Sequence, residues 1–92
     1  MNWKAVREAY PERWLIIEAL EAHTEDNQRW LDRIAVVEEC RDGAAAFQRY
    51  QSLHQQYLER ELYFVHTARE QLIILERQWI GIRRAQAADP SR

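Results

Sequence analysis

Apolar side chains near the N-terminus recur at helical spacing. Trp3, Val6 and Tyr10 are three and four residues apart, which places them on one side of a helix, and Asn2 is a suitable cap. Pro11 would end this helix, because proline lacks a backbone N–H and restricts the residue before it. The pattern predicts a short N-terminal helix with one apolar stripe.

The next apolar positions are typical of two strands. Residues 13–23 begin with the continuous run Trp-Leu-Ile-Ile at 14–17, as in a strand that is buried on both faces at its start and on one face at its end. Residues 30–40 contain a similar run. Asp26 and Asn27, between the two strands, tolerate positive φ and suit a tight turn. The pattern predicts an antiparallel hairpin.

The clearest helical pattern lies in the middle of the chain. Asp42 is a suitable cap, and the helix is predicted to run to about Tyr57. Ala46, Tyr50, Leu53 and Tyr57 recur on one face, opposite a polar face rich in glutamine. This segment is predicted to be the one long helix of the protein.

The C-terminal part of the chain predicts two more strands. Residues 61–67 and 72–82 have strand-like composition and are joined by the polar segment 68–71, whereas residues 85–92 are expected to be a frayed tail. The predicted fold is one α+β domain of residues 1–84. It has a short N-terminal helix and then β-β-α-β-β, with the long helix on one face of an antiparallel four-stranded sheet.

The predicted sheet carries large apolar side chains on both faces. In the first strand Leu15 and Ile17 point to one face and Trp14 and Ile16 to the other, because side chains alternate along a strand. The long helix covers only one face. The other must be covered by the N-terminal helix, a second copy of the chain or another protein. We expect a homodimer in which the N-terminal helix contributes to the covered surface.

Composition excludes several classes of activity. The chain has 92 residues, of which 47% are hydrophobic and 30% charged, which is typical of a folded globular domain. Only two glycines are present, too few for a glycine-rich phosphate loop or a glycine-flanked serine nucleophile. The net charge of -2 and a pI near 5.9 do not favour nucleic acid or anionic lipid as the partner.

The single cysteine and the short apolar runs indicate in which cellular compartment the protein is expected. Cys40 has no second cysteine with which to form an intramolecular disulfide or a thiolate metal site. Glu38 and Glu39 precede it and would raise its thiol pKa, the opposite of what a nucleophile needs. The longest apolar runs are four residues, as at 14–17 and 72–75, too short for a signal peptide or a membrane span. We expect a cytoplasmic protein without a membrane partner.

Four segments together resemble a group of short uncharacterised bacterial proteins. They are Tyr-Pro-Glu-Arg-Trp at 10–14, Glu-Ala-Leu-Glu-Ala-His at 18–23, Arg-Glu-Leu-Tyr at 60–63 leading to His-Thr at 66–67, and Arg-Gln-Trp-Ile-Gly-Ile-Arg at 77–83. The resemblance covers most of the chain. It implies a free-standing bacterial, cytoplasmic domain and carries over no functional residue, because that group has no assigned activity.

Histidines and carboxylates near predicted strand ends form one candidate metal or acid–base site. Its members are Glu21, His23, Asp32 and His66. A two-residue turn at Asp26-Asn27 would place His23 opposite Trp30. Solvated strand-end residues are the simpler interpretation, and neither a metal nor another cofactor is expected.

The register of the first hairpin decides whether this cluster forms. The two-residue turn places Glu21 opposite Asp32, where the like charges repel. One more residue in the turn instead pairs Glu21 with Arg33 and Leu20 with Ile34, which satisfies charge and packing together. The second register is preferred. The choice matters because a shift of one residue moves every side chain of the strand to the opposite face of the sheet.

His66 and Thr67 precede a polar turn and have Arg69 and Glu70 nearby. These residues would suit a ligand-binding corner. The preferred interpretation is a strand end, with Thr67 favoured by β propensity and His66 half exposed.

Aromatic and arginine residues indicate a binding surface. Trp79 lies among arginines, a combination that stacks on bases and holds phosphate or, alternatively, dominates protein interfaces. The predicted interface residues are Trp3, Tyr10, Arg77, Trp79, Arg83 and Arg84.

These patterns favour protein interaction over catalysis. The expected function is a self-associating accessory or regulatory module, and enzymatic activity is not expected. The alternatives are a small-ligand or metal-dependent activity at the histidine cluster, and weak nucleic-acid binding through the C-terminal Trp/Arg segment, which the acidity of the chain makes unfavourable.

Overall fold

The computed structural model describes residues 1–75 and confirms the predicted α+β class and element order. The elements are α1 (Trp3–Ala9), β1 (Trp14–Glu25), β2 (Gln28–Cys40), α2 (Gly43–Gln56), β3 (Leu62–His66) and β4 (Ile74–Leu75). The predictions for the end of the last strand, for the domain boundary at residue 84 and for the tail at 85–92 lie outside the described residues. No helix of residues 1–75 is long and apolar enough to cross a membrane.

Both predicted helix caps are present. The Asn2 side chain accepts a hydrogen bond from the Ala5 N–H at 2.8 Å, and Asp42 does the same for the Ala45 N–H at 2.8 Å. These contacts satisfy backbone donors that have no partner inside a helix, which fixes where each helix begins. Tyr57 does not join the buried face of α2, because it forms the C-cap, is exposed and packs under the Arg60 guanidinium, 5.0 Å from its ring centre.

The four strands form an antiparallel sheet in the order β3-β1-β2-β4. The short polar connection between β3 and β4 would suit neighbouring strands, but the two lie at opposite edges. The connection is instead held on the α1 side of the sheet, where Arg7 Nε donates to the Thr67 carbonyl at 2.9 Å and Trp3 Nε1 donates to the Arg69 carbonyl at 3.1 Å. β1 is therefore a central strand and β3 an edge.

The turn of the β1–β2 hairpin has two residues, Asp26 and Asn27, because Glu25 pairs with Gln28. The longer turn of the preferred register is therefore wrong, and the two-residue alternative is present. Asp26 and Asn27 have φ of 52° and 62°, the left-handed values that a tight hairpin turn of this kind needs. His23 consequently lies opposite Trp30.

Beyond the turn, bulges change the register. Asp32 is an extra residue on β2, so that Glu21 pairs with Arg33 rather than with Asp32, as the preferred register predicted. Leu20 is an extra residue on β1, and the predicted pairing of Leu20 with Ile34 is wrong because Ala19 takes that place. The hairpin thus satisfies parts of both predicted registers.

The sheet is covered on both faces by the chain itself. On one face Val6 of α1 packs with Leu15, Ile17, Ile34 and Val65, and all five are buried. On the other face α2 packs against the sheet through a second cluster. The buried residues of that cluster are Ile16, Ala46, Leu53 and Leu62. Among the three predicted ways of covering the second face, the N-terminal helix supplies this contact.

Candidate functional site

The outer edge of β3 is free of neighbouring strands within residues 1–75. β3 pairs with β1 along one side, from Leu62↔Glu18 to His66↔Trp14. Its sequence Leu-Tyr-Phe-Val-His contains no lysine, arginine, carboxylate or proline. Native edge strands are usually protected from pairing by charges, prolines or bulges, because their backbone N–H and C=O groups are open to another strand. β3 has none of these protections.

An aromatic patch lies beside this edge on the α2 face. It consists of Trp14, Phe47, Tyr50 and Phe64, and Phe64 is at its centre. The ring centre of Phe64 is 5.5 Å from that of Phe47, 5.4 Å from Tyr50 and 6.4 Å from Trp14. Phe47 and Phe64 remain 45% and 37% exposed. Large aromatic side chains in such positions are typical of protein interfaces.

A cleft of about 300 Å³ follows the same edge. It is lined by residues 63–66 of β3, by Trp14, by Arg69 and by residues 72–74, so that most of its wall is apolar. We call it the edge cleft. The cleft gives an incoming strand side-chain contacts as well as backbone partners.

Two ion pairs fix the start of β3 to the rest of the sheet. Arg29 donates from Nε and an Nη to both carboxylate oxygens of Glu61 at 2.9 Å each, and Arg60 holds Glu18 at 2.6 and 3.1 Å. Tyr63 adds a hydrogen bond from its hydroxyl to Glu61 at 2.6 Å. These charges are used to hold the strand in place and are not directed at the free edge.

The same contacts shift the pKa values of the groups involved. The hydrogen bonds from Arg60 and from Arg29 lower the pKa of Glu18 and of Glu61, respectively, below the ordinary value of 4.5. Burial, assisted by the hydrogen bond to Glu61, raises the pKa of the Tyr63 phenol. All three groups are therefore held in one protonation state near neutral pH and do not suit acid–base catalysis.

These lowered pKa values predict how acid affects stability. A carboxyl with a lower pKa in the folded state contributes stability that is complete above about pH 4.5 and is lost as the pH falls through its folded-state pKa. The Glu18→Gln/Glu61→Gln variant should lose less stability than the wild type between pH 5 and about pH 3. Urea unfolding across this range measures the difference. Glu8→Gln, at an exposed position of α1, should keep the wild-type slope; equal slopes in all three proteins would contradict the assignment.

The predicted histidine cluster is only partly assembled. His23 Nδ1 lies 2.6 Å from Asp32 Oδ2, and Nε2 lies 3.7 Å from Glu25, a residue that the sequence analysis did not name. Glu21 points instead to Arg33, with 3.4 Å between Oε2 and Nε.

The inclusion of His66 in this cluster is wrong. The antiparallel pairing of β3 with β1 puts His66 opposite Trp14, nine residues along β1 from His23. Its ring is edge-on to Trp14, with ring centres 5.1 Å apart. Within residues 1–75 no three metal-ligating side chains are grouped closely enough to hold a metal ion. The two histidines therefore do not belong to one site in the described chain.

Cys40 has the raised thiol pKa that the sequence predicts. Burial is the largest cause of the raised pKa of the Cys40 thiol, and the negative charge of Glu38 raises this pKa further. A thiol of raised pKa has little thiolate at neutral pH and is a poor nucleophile.

The predicted interface residues fall into two groups. Trp3 and Tyr10 pack against the buried cluster on the α1 face, and are thus used by the fold of this chain. Arg77, Trp79, Arg83 and Arg84 lie outside the described residues. Neither Phe47 nor Phe64 was predicted to be a surface residue. The available signal was the absence of acidic and basic residues along 62–66.

Comparison with known protein families, with curated proteins and with solved structures finds no match to this chain. Its function has therefore to be inferred from its own surfaces and side chains.

Proposed function

We propose that this chain is a protein-interaction module that forms a homodimer by pairing the free edges of two β3 strands. The observation that supports this most is the combination of an uncharged edge strand with half-exposed Phe64 and Phe47 beside it. An edge without protective charge is expected to be paired in the working protein. A second copy of the chain is the occupant that we favour.

The sequence of β3 suits pairing with itself. Closed dimers have two-fold symmetry, so that the same patch of each subunit meets its copy. An antiparallel pair centred on Phe64 would place Phe64 opposite the partner subunit's Phe64, Tyr63 opposite the partner's Val65 and Leu62 opposite the partner's His66. No like charges meet in this register, whereas a charged residue at position 64 would face its own copy.

The aromatic patch would supply the apolar part of such an interface. Phe64 lies on the α2 face, in contact with Phe47, and both rings become buried when a second α2 face is placed beside the first. Aromatic side chains at the centre of an interface usually provide most of its binding energy. Backbone hydrogen bonds between the β3 strands fix the register, and the aromatic contacts provide the affinity.

Phe64→Lys should convert the dimer into a monomer. The lysine places a positive charge opposite its own copy at the centre of the two-fold pair and removes the central aromatic contact. The measurement is solution mass by light scattering after size exclusion at two protein concentrations. The wild type should give twice 11.1 kDa and the variant 11.1 kDa.

Leu20→Lys is the matched control. Leu20 is 46% exposed in the same sheet but lies outside the segment of β1 that pairs with β3, so this variant should remain dimeric. A monomeric wild type would overturn self-association and leave the edge to another part of the chain or to a different protein. A dimeric Phe64→Lys would show that another surface forms the dimer.

A further inference from the structure

A second cavity lies on the α1 side of the sheet and is separate from the aromatic patch. It has a volume of about 280 Å³ and is lined by the indoles of Trp3 and Trp30. We call it the indole pocket. The other described lining residues are Gln28, Leu31, Glu70, Gln71 and Leu72. The dimer proposed above uses neither indole.

Both indoles are held by contacts within the chain. Trp3 Nε1 donates to the Arg69 carbonyl at 3.1 Å, and the Trp3 ring packs on the buried cluster under α1. Trp30 is stacked on His23, with ring centres 6.5 Å apart and an angle of 14° between the rings. Trp30 nevertheless remains 45% exposed. Two indoles fixed in advance lose little conformational entropy when a ligand binds in the pocket that they line.

The pocket lining contains a negative charge. Among residues 1–75, Glu70 is the one charged residue that lines it. Within residues 1–75 the Glu70 carboxylate forms no salt bridge. A carboxylate in the described lining disfavours phosphate and other anions and gives a bound cation an opposite charge.

We infer that the indole pocket binds a small quaternary ammonium group that carries no phosphate. The faces of indole rings attract organic cations, and aromatic pockets are used for this purpose with methylated ammonium groups. Glu70 balances the charge, and Gln28 and Gln71 can bond to a hydroxyl or amide attached to the cation. The cavity has room for a head group of a few heavy atoms, and an occupant of this class uses both the indoles and the carboxylate of Glu70.

Choline is the probe for the first experiment. Titration into the full-length protein should shift the indole N–H resonances of Trp3 and Trp30 in a saturable way. The neutral isostere 3,3-dimethyl-1-butanol has the same shape without the charge, and should bind about fivefold or more weakly. Phosphocholine should also bind more weakly than choline, because the described lining offers its phosphate the carboxylate of Glu70 and no cation. Equal affinities for choline and for the neutral isostere would show that the pocket binds apolar groups without regard to charge, which would overturn the inference.

Trp30→Ala should weaken choline binding by about tenfold, as expected for the loss of one cation–π face. Trp30→Phe should have an intermediate affinity, because it keeps a smaller aromatic ring. The matched control is Leu20→Ala, which should keep the wild-type choline affinity, since Leu20 has nearly the same exposure, 46%, and does not line the pocket. Trp30→Ala should keep the solution mass of the wild type, which separates failure of this site from failure of the dimer. Unchanged choline affinity in Trp30→Ala, or no saturable shift in the wild type, would overturn the site.

Discussion

Ile17→Ala is expected to lower the free energy of unfolding by about 3 kcal/mol. Ile17 is completely buried on the α1 face of the central strand, where it belongs to the cluster that includes Val6 and Ile34. The substitution removes three carbon atoms and leaves a cavity between the sheet and α1, since neither layer can close it without moving. Urea unfolding at a fixed protein concentration measures the loss, and the concentration must be fixed because a dimer is more stable at higher concentration.

Leu20→Ala is the control for this prediction. Leu20 lies three residues further along the same strand, but is 46% exposed at a bulge. Its substitution should lower the free energy of unfolding by less than about 1 kcal/mol. If Ile17→Ala were no worse than Leu20→Ala, α1 would not form a packed layer on the sheet, and the second face would again be open to a partner.

The elements that were predicted well are those decided by neighbouring residues. Asn2 and Asp42 each bond to a backbone N–H three residues later, so the information that starts both helices lies within one turn of the cap. The run at residues 14–17 predicted burial on both faces, and Leu15, Ile16 and Ile17 are completely buried. Asp26 and Asn27 likewise specify their own turn through their tolerance of positive φ.

The register of the hairpin could not be predicted from one pairing rule. The turn requires His23 to lie opposite Trp30, whereas charge favours Glu21 opposite Arg33, and no unbroken ladder satisfies both. The bulge at Asp32 resolves this conflict by inserting one residue between the two pairs. Its side chain then bonds to His23 rather than facing Glu21. The preferred register therefore gave the correct partner for Glu21 but the wrong turn length and the wrong partner for Ile34.

The separation of His66 from His23 is a property of strand order. Both residues were correctly placed near strand ends. The composition of β3 does not indicate, however, whether its last residues pair with the start or with the end of β1. The free edge and the aromatic patch have the same origin, because Phe47 and Phe64 are brought to 5.5 Å only when α2 and β3 pack together. The candidate site is thus formed by tertiary packing. The only part of it that the sequence alone could indicate was the absence of acidic and basic residues in β3.

Thr67→Val is expected to lower the free energy of unfolding by about 2 kcal/mol. Thr67 is only 2% exposed, and its hydroxyl donates to the Tyr10 carbonyl at 2.6 Å and accepts from the Arg13 N–H at 2.9 Å. Valine has nearly the same volume but no hydroxyl, so two backbone groups around Pro11 lose their partner in a place with little access to water. The interpretation of Thr67 as an ordinary strand end missed this role. Thermal or urea unfolding measures the loss.

Thr67→Ser separates the hydrogen bonds from packing. Serine keeps the hydroxyl and removes one methyl group, which should lower the free energy of unfolding by about 1 kcal/mol. Thr67→Val should also speed the exchange of the Trp3 indole N–H with solvent. The Trp3 indole N–H donates to the carbonyl of Arg69, two residues after Thr67, so loosening of Thr67 exposes this proton to solvent. The next residues, 70–72, line the indole pocket. If serine were the more damaging substitution, packing of the methyl group rather than the hydroxyl would anchor β3 to α1.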